Sequence, residues 1–198
     1  SGKVCTVTWA ANPDYENPAD TGTNNVYDIT ITFTDGTNVL GAQTTAITVT
    51  DANEASPVFA AGSSVSVDVA EVTTVGTYTA TDTDGTATQT YSIVTSGTDG
   101  ASVDHDLFAI NSASGALTFS SAPNYEAPGC GANNDGNTCV VVIQVSDGTN
   151  TDTLLVTVTV TDLNEATPVF DDGATDAVSV AEGTTAVKTY SATDTDGT

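Results

Sequence analysis

The chain has 198 residues, enough for one or two domains, and carries 26 acidic residues against two lysines, for a formal net charge of −24. This charge excludes nucleic acid as a partner, because phosphate binding needs lysine and arginine, and it disfavours anionic membrane surfaces. It also requires counterions. Divalent cations bound at specific sites and a merely solvated acidic surface are the two alternatives.

Alternating apolar and polar residues predict β-strands along the whole chain. Such alternation occurs in order at 27–34, 64–69, 91–94, 107–110, 117–119, 141–145 and 154–160. No segment shows the 3.6-residue period of a helix, and no apolar run approaches the roughly 20 residues that span a bilayer. About seven strands in each roughly 110-residue stretch, separated by Gly, Asp and Asn, predict an antiparallel β-sandwich.

The sequence repeats itself with a period of about 111 residues, which is typical of a tandem array. DANEASPVF at 51–59 returns as DLNEATPVF at 162–170, and TATDTDGT at 79–86 returns as SATDTDGT at 191–198. This period predicts three units: the C-terminal part of a repeat with its linker, one complete repeat, and the N-terminal part of the next. They cover residues 1–56, 57–167 and 168–198, as in a window cut from a longer array.

Two of the three cysteines flank a turn-rich loop. Cys130 and Cys139 stand on either side of GANNDGNT, so a disulfide across the base of the loop is favoured, in an oxidising compartment. The alternative is a pair of free or metal-binding thiols, which no nearby His or further Cys supports. Cys5 has no partner in view.

Acidic residues recur where the alternating segments stop. Because strand ends gather at the two poles of a sandwich, carboxylates from several segments would converge there and repel one another. Ca²⁺ would relieve this repulsion, since it accepts roughly six to eight oxygen ligands. Mg²⁺ demands a stricter geometry, and zinc is disfavoured in a chain with one His.

Together these motifs resemble the cadherin repeat. The linker of that family, Asp-x-Asn-Asp-Asn-x-Pro-x-Phe, is matched by DANEASPVF and DLNEATPVF. Its Asp-x-Glu motif is matched by Asp14 and Glu16, and its Asp-x-Asp motif by Asp82 and Asp84 and again by Asp194 and Asp196. Two single acidic positions of the family are matched by Glu71 and Glu182, and by Asp35 and Asp147. The resemblance implies an all-β protein of tandem seven-strand Greek-key β-sandwiches joined by Ca²⁺-binding linkers.

The resemblance also implies up to three Ca²⁺ at each junction between repeats. The first junction would use Asp14, Glu16, Asp51, Asn53, Glu54, Asp82, Asp84 and Asp147. The second junction would use Glu71, Glu126, Asp162, Asn164, Glu165, Asp194 and Asp196. Two departures from the family pattern stand out: Glu54 and Glu165 replace the second Asp of the linker, and Asn124 stands where the first junction has Asp14. The lost charge at Asn124 predicts weaker Ca²⁺ binding at the second junction.

The function implied by the resemblance is structural. Tandem sandwiches stiffened by Ca²⁺ would form a rod in an extracellular adhesin or surface filament, secreted or held at the cell surface. Its partners would be neighbouring repeats, like filaments or a cell-surface ligand. The composition, poor in Lys and Arg and rich in Thr, Ala, Gly and Asp, favours a microbial source.

Two other classes of function are the alternatives to a structural rod. A carbohydrate- or ligand-binding module of a secreted or cell-wall protein would need exposed aromatic residues on one sheet face. An enzyme is not expected, because the paired carboxylates are accounted for as metal ligands and no activated nucleophile accompanies them. Direct membrane insertion is not expected either.

Overall fold

The computed structural model describes residues 4–84, 88–95, 103–132 and 134–196, and these ranges contain thirteen strands and a single 3₁₀ turn, His105–Leu107. The strands are β1 Val26–Ile31, β2 Gln43–Thr48, β3 Val58–Phe59, β4 Ser64–Ala70, β5 Thr74–Thr77, β6 Ala80–Thr81, β7 Thr90–Ile93, β8 Phe108–Ile110, β9 Ala116–Phe119, β10 Thr138–Ser146, β11 Thr151–Thr161, β12 Val169–Phe170 and β13 Ala192–Thr193. Every segment whose alternation predicted a strand contains one, which confirms the all-β class. Among the described residues no helix is long and apolar enough to cross a bilayer. The ends of the repeated motif at 85–86 and 197–198 lie outside the described residues.

Strands β3 to β11 form a complete sandwich. One sheet has the order β4–β11–β10–β7, and the other has the order β5–β9–β8, while β3 and β6 form a separate pair. The first strand is split, since β3 pairs antiparallel with β6 while β4 pairs parallel with β11. If β3 with β4 and β5 with β6 each count as one strand, the sandwich has the seven strands of the predicted Greek key.

The core of the sandwich follows directly from the alternation. In β10 the side chains of Val141, Ile143 and Val145 are fully buried, and the residues between them are half-buried. The opposite sheet contributes Phe108 and Phe119, whose stacked rings lie 4.5 Å apart. Burying each such side chain contributes roughly 1.5–3 kcal/mol, so this sandwich carries most of the stability of the chain.

The flanking units are hairpins that no second sheet covers within the described part of the chain. In the first unit β1 pairs antiparallel with β2, and in the third β12 pairs with β13. Trp9 is 44% exposed and packs edge-on against Tyr27, with 4.8 Å between the ring centroids. Phe33, the last apolar residue of the alternating segment 27–34, lies beyond the end of β1 and is also exposed. The unit boundaries after residues 56 and 167 stay a prediction.

Two equivalent loops are closed by different chemistry. The predicted disulfide between Cys130 and Cys139 is present, and the buried carboxylate of Asp104 accepts the N–H groups of Gly131 and Val140, both at 2.7 Å. In the first unit, Asp20 stands at the position of Cys130.

The Asp20 carboxylate accepts the N–H groups of Gly22, Asn24 and Asn25 at 2.9–3.1 Å. Although desolvation raises the pKa of Asp20, these donors hold it below its ordinary value. A carboxylate therefore organises the loop that a covalent bond closes in the sandwich. Cys5 is exposed and free.

One glycine has a positive φ and a close neighbour. Gly115 has φ +69°, and a Cβ added there would collide with the carbonyl oxygen of Tyr78. Gly62 has φ +81°, but an added Cβ would meet nothing within 4 Å. Alanine substitutions at Gly62 and Gly115 therefore separate the energetic cost of the left-handed backbone from the cost of the collision with Tyr78.

We predict that Gly62→Ala lowers the free energy of unfolding by about 1–2 kcal/mol, because only the backbone conformation is unfavourable. Gly115→Ala should add roughly 1–3 kcal/mol to that loss, because β5 and β9 must separate to admit the methyl group. Urea unfolding followed by circular dichroism measures both. Equal losses in the two variants would contradict the close packing at Gly115.

Removing the disulfide should destabilise the sandwich. For a loop of this length, the double substitution Cys130→Ser and Cys139→Ser should lower the free energy of unfolding by about 2–3 kcal/mol. Cys5→Ser serves as the control, because Cys5 is exposed and should leave the unfolding midpoint unchanged. If a reducing agent leaves the unfolding of the wild-type chain unchanged, the disulfide does not contribute this stability.

Candidate metal centres

The first candidate centre lies between the first unit and the sandwich. Glu16 precedes β1, Glu54 lies in the linker before β3, and Asp84 follows β6. Carboxylate oxygens of these three residues all lie within 4.8 Å of one another. The chain folds so that three segments, from both units and the linker, present negative charge to one place.

The aspartates of this centre are held by backbone donors. Oδ2 of the buried Asp84 accepts the N–H of Ala55 at 2.7 Å, and the N–H of Asp84 donates to Oδ1 of Asp82 at 3.1 Å. The second oxygen of Asp82 is buried and accepts no hydrogen bond from any described residue. A buried carboxylate oxygen without a donor is costly, and a bound cation would satisfy it.

Asn53 provides a second test of whether a cation fits. Its amide oxygen lies 3.1 Å from Oδ2 of Asp84 and 3.0 Å from Oδ2 of Asp147, and no hydrogen bond can join three oxygens. Either the amide is reversed and its nitrogen donates to both carboxylates, or the three oxygens surround a cation. Oxygens bound to one Ca²⁺ at about 2.4 Å lie about 3 Å apart, so the arrangement fits this ion.

The hairpin after β10 holds Asp147 in place. Oδ1 of Asp147 accepts the N–H groups of Thr149 and Asn150 at 2.7 and 2.6 Å. Desolvation raises the pKa of Asp147, but these donors outweigh it and leave the pKa lowered. The Asn150 amide donates to the carbonyl of Ala55 at 2.6 Å, which attaches this hairpin to the linker.

The second candidate centre lies where the sandwich meets its C-terminal linker, and none of its three grouped carboxylates comes from the third unit. Carboxylate oxygens of Glu71, Glu126 and Glu165 lie within 4.8 Å of one another. Glu71 accepts the N–H groups of Tyr125 and Leu163 at 2.8 and 2.9 Å, and so joins the turn before β10 to the second linker.

The aspartates of the second centre match those of the first. Oδ2 of Asp196 accepts the N–H of Ala166, as Asp84 does that of Ala55. Oδ1 of Asp194 and Oδ1 of Asp196 are buried and receive no hydrogen bond from the described residues. Unsatisfied buried oxygens therefore occur at both junctions.

Crowding of like charges perturbs the acids. Desolvation, reinforced by the carboxylates of Asp51 and Glu54, raises the pKa of Glu16. Desolvation followed by the charges of Glu71, Glu126 and Asp196 raises the pKa of Glu165. Uptake of protons or binding of a cation would each relieve this crowding.

Some predicted ligands lie outside the two groups of three carboxylates. Asp14 and Asp162 belong to neither group. Oδ1 of Asp14 accepts the N–H of Asn17 at 3.0 Å, and Oδ1 of Asn124 accepts that of Ala127 at 2.6 Å. Each residue caps the equivalent turn of its own unit. The other polar group of the side chain is a carboxylate oxygen in Asp14, which can bind a cation, and an NH₂ group in Asn124, which cannot.

Sequence reasoning missed the residues that attach the linker to the sandwich. Asn150 bonds the carbonyl of Ala55, and Asp152 accepts the N–H of Phe59 at 3.0 Å. Asn150 belongs to the string DGTN, which occurs at 35–38 and again at 147–150. The recurrence of the whole string, and not of Asp147 alone, is the sequence signal that could have identified Asn150.

Comparisons with known proteins bear on the fold. No protein-family model and no curated protein sequence matches this chain. Its structure is similar to that of human CDH23 EC21-23, with a TM-score of 0.57 and 19% identity over 90% of this chain and 57% of that one. It is similar to mouse protocadherin-24 EC1-3, with a TM-score of 0.55 and 24% identity over 91% of this chain and 59% of that one.

A third similar structure is protocadherin gamma B2 extracellular cadherin domains 1-5, with a TM-score of 0.54 and 19% identity over 90% of this chain and 34% of that one. The chain thus spans between 34% and 59% of the length of these structures. They show that its fold is that of cadherin extracellular domains. The microbial source stays a prediction.

The different residues at positions 14 and 124 give a reciprocal prediction. Asn124→Asp should strengthen Ca²⁺ binding at the second junction by roughly tenfold, because it adds a charged oxygen ligand, and Asp14→Asn should weaken the first junction by a similar factor. Calorimetric titration of the full chain with Ca²⁺ measures both. Thr30→Asp adds the same charge on the exposed face of β1 and should change neither affinity. An unchanged titration for both variants would remove these positions from the ligand set.

Proposed function

We propose that the chain is a segment of a tandem array of cadherin-like repeats in which Ca²⁺ stiffens the junctions, so that the array acts as a rod in an extracellular adhesin or surface filament. The observation that carries this proposal is the meeting of Glu16, Glu54 and Asp84 within 4.8 Å. They come from one unit, the linker and the next unit, so a ligand bound to all three would fix the angle between the units.

The linker is already attached to the sandwich at its C-terminal end. Pro57 and Phe59 are buried, the N–H of Phe59 donates to Asp152, and both backbone polar groups of Ala55 are bonded to the sandwich. Freedom of movement is therefore concentrated in the few residues before Ala55, next to Glu54. A short hinge flanked by carboxylates from both sides is where a cation has most effect on stiffness.

The carboxylates of the junction would switch it between a flexible state without Ca²⁺ and a stiff state with Ca²⁺. Without a counterion, repulsion among Glu16, Glu54 and Asp84 favours conformations in which the units swing apart. Bound Ca²⁺ supplies the charge that lets the three carboxylates remain together. Asp82 and Asp147 would complete the shell from the sandwich side, where backbone N–H groups already orient one oxygen of each.

The proposed location outside the cell has independent support. The disulfide between Cys130 and Cys139 requires an oxidising compartment. The similar structures are cadherin and protocadherin extracellular fragments, and extracellular fluid contains enough Ca²⁺ to fill sites of modest affinity. Membership of the cadherin family is part of this proposal.

The ligand-binding alternative has less support. Its aromatic platform would consist of exposed rings, and such rings occur in the flanking hairpins, for example Trp9, Phe170 and Tyr190. They occupy positions whose equivalents belong to the core of the complete sandwich, so they are better explained as core residues. Among the described residues, none beyond the carboxylates of the two candidate centres supports an enzymatic role.

Chelation tests the proposal. In Ca²⁺, small-angle scattering of the full chain should give a single extended shape, and a calcium chelator should reduce the mean end-to-end length and broaden its distribution. The double variant Glu54→Gln and Asp84→Asn removes most of the Ca²⁺ ligands of the group as well as the repulsion, so its scattering should be the same with and without the chelator. Glu182→Gln removes a carboxylate outside both groups of three and should behave as the wild type. Identical wild-type scattering with and without the chelator would refute the rod mechanism.

A further inference from the structure

The segment that brings Glu126 to the second candidate centre has little structure of its own. This segment, residues 120–137, lies between β9 and β10, and none of its described residues belongs to a strand. Within 121–129 every residue is exposed except Pro123 and Pro128, which are half-buried. A cavity of about 230 Å³ lies between the segment and the core. Packing therefore contributes little to the position of Glu126.

Hydrogen bonds attach the segment to the sandwich at Tyr125, the residue before Glu126. The N–H of Tyr125 donates to Oε1 of Glu71 at 2.8 Å, and the carbonyl of Tyr125 accepts Nδ2 of Asn137 at 3.0 Å. The carbonyl of Asn137 accepts the N–H of Val160 in β11 at 2.8 Å. The position of Glu126 thus depends on Asn137 and on the residues that connect the two.

The disulfide ties this connection to the core. Cys130, four residues after Glu126, is bonded to Cys139 of β10, and neither cysteine is more than 3% exposed. Cys139 is held in place, because it pairs with Val158 in the two central strands of its sheet. A disulfide holds two sulfurs closer together than van der Waals contact, so two thiols must move apart. Reduction would therefore displace Cys130 and the segment before it.

A second device at the base of the loop does not respond to a reductant. The buried carboxylate of Asp104 accepts the N–H groups that follow the two cysteines, those of Gly131 and Val140. These bonds keep the base of the loop closed when the disulfide is open. Reduction should consequently loosen the acidic segment without unfolding the sandwich.

The first unit contains the same kind of hydrogen bond beside its own centre. Nδ2 of Asn25 donates to the carbonyl of Tyr15 at 2.9 Å, and Glu16 follows Tyr15 in the chain. Each centre therefore receives a glutamate whose preceding residue is held by an asparagine side chain.

The base of the equivalent loop is closed differently in the first unit. By the repeat alignment, Asp20 stands at the position of Cys130, and Tyr27 stands at that of Cys139. The Asp20 carboxylate accepts the N–H of Asn25 at 3.1 Å. The Tyr27 hydroxyl accepts the N–H of the residue before Asp20, also at 3.1 Å. Neither contact can be reduced, so a reductant can act on the second junction and not on the first.

We infer that the Cys130–Cys139 disulfide positions the acidic segment at the second centre, so that its reduction weakens cation binding there and leaves the first centre unchanged. A dithiol reductant supplies two electrons and two protons, becomes a disulfide itself and leaves the thiols of Cys130 and Cys139. The link to cation binding rests on the proposed function, whereas the positioning of the segment does not.

Hydrogen exchange followed by NMR in a calcium chelator tests the positioning without a metal. Every protein carries Cys5→Ser, and the open state is prepared with dithiothreitol or as the double variant Cys130→Ser and Cys139→Ser. Opening the disulfide should speed exchange of the Tyr125 amide by about tenfold or more, because local opening of the segment becomes easier. The amide of Ala55, which donates to Asp84 at the first junction, should exchange at an unchanged rate.

Titration with Ca²⁺, followed by the same amide signals, tests the link to cation binding. The N–H of Leu163 donates to Glu71 and reports the second centre, while that of Ala55 reports the first. Opening the disulfide should weaken the affinity read at Leu163 by about tenfold or more, as is usual when a residue that orients a metal ligand is lost. The affinity read at Ala55 should stay within about twofold of its value in the oxidised chain.

Reciprocal variants separate positioning from a loss of stability. Asn137→Ala keeps the disulfide and removes the side-chain bond to the segment, so it should weaken the affinity read at Leu163 by about tenfold. Asn25→Ala is the matched change in the first unit and should weaken the affinity read at Ala55 instead. Thr138→Ala, at the exposed position next to Asn137, is the control and should change neither.

The possible results distinguish this inference from the proposed function. Unchanged exchange at Tyr125 overturns the positioning, and faster exchange with an unchanged affinity at Leu163 overturns the link to cation binding. Equal weakening at Leu163 and Ala55 shows a general loss of stability and also overturns the inference. In each of these cases Ca²⁺ still binds, so the proposed function stands. If Ca²⁺ shifts neither amide in the oxidised chain, the proposed function and the link to cation binding both fail, and the exchange of Tyr125 alone decides the positioning.

Discussion

Repulsion between carboxylates that the fold forces together is the constraint on which this molecule depends. Glu16, Glu54 and Asp84 meet at one junction, and Glu71, Glu126 and Glu165 meet at the other. Lys188, the one lysine or arginine among the described residues, is engaged with Asp172 and Asp176 in the third unit. Within the described part of the chain, negative charge is therefore concentrated at the joints without an ion-paired lysine or arginine, which is why Ca²⁺ is the counterion that we propose for them.

The sandwich and its neighbours respond to this constraint differently. The sandwich buries Val141, Ile143 and Leu154 completely and keeps its shape through packing. The described residues on either side show no such core, and local hydrogen bonds, such as those that Asp20 accepts from three backbone N–H groups, order them. In the proposed rod, rigidity between units would come from the junctions and rigidity within a unit from a full set of strands.

The sequence predicted the fold well where alternation was strong. β10 and β11 were found because Val, Ile and Leu occupy every second position, and the all-β class followed from them. β2 was missed because Gln43 and Thr45 occupy the positions at which β11 has Leu154 and Val156, so its pattern is weak. The division of the first strand into β3 and β4 was also missed, because strand partners depend on tertiary pairing and leave no local signal.

The candidate centres were harder to predict in detail than in outline. Strand-end acids identified which segments meet, because the poles of a sandwich collect strand ends. They did not reveal that Asn150 and Asp152 attach the linker, since these residues bond to backbone groups far away in sequence.

The turn that contains Asp14 and Asn124 shows why acidic motifs vary between repeats without loss of the fold. One oxygen of either side chain caps the turn, by accepting the N–H of the residue three positions later. That structural task needs only a carbonyl-type oxygen, so Asn and Asp perform it equally well. The second atom has no part in the turn, and it is an oxygen that could bind a cation in Asp14 and an NH₂ group in Asn124. The fold therefore tolerates either residue, and under the proposed role of Ca²⁺ the choice between them would set the ion affinity of each joint separately.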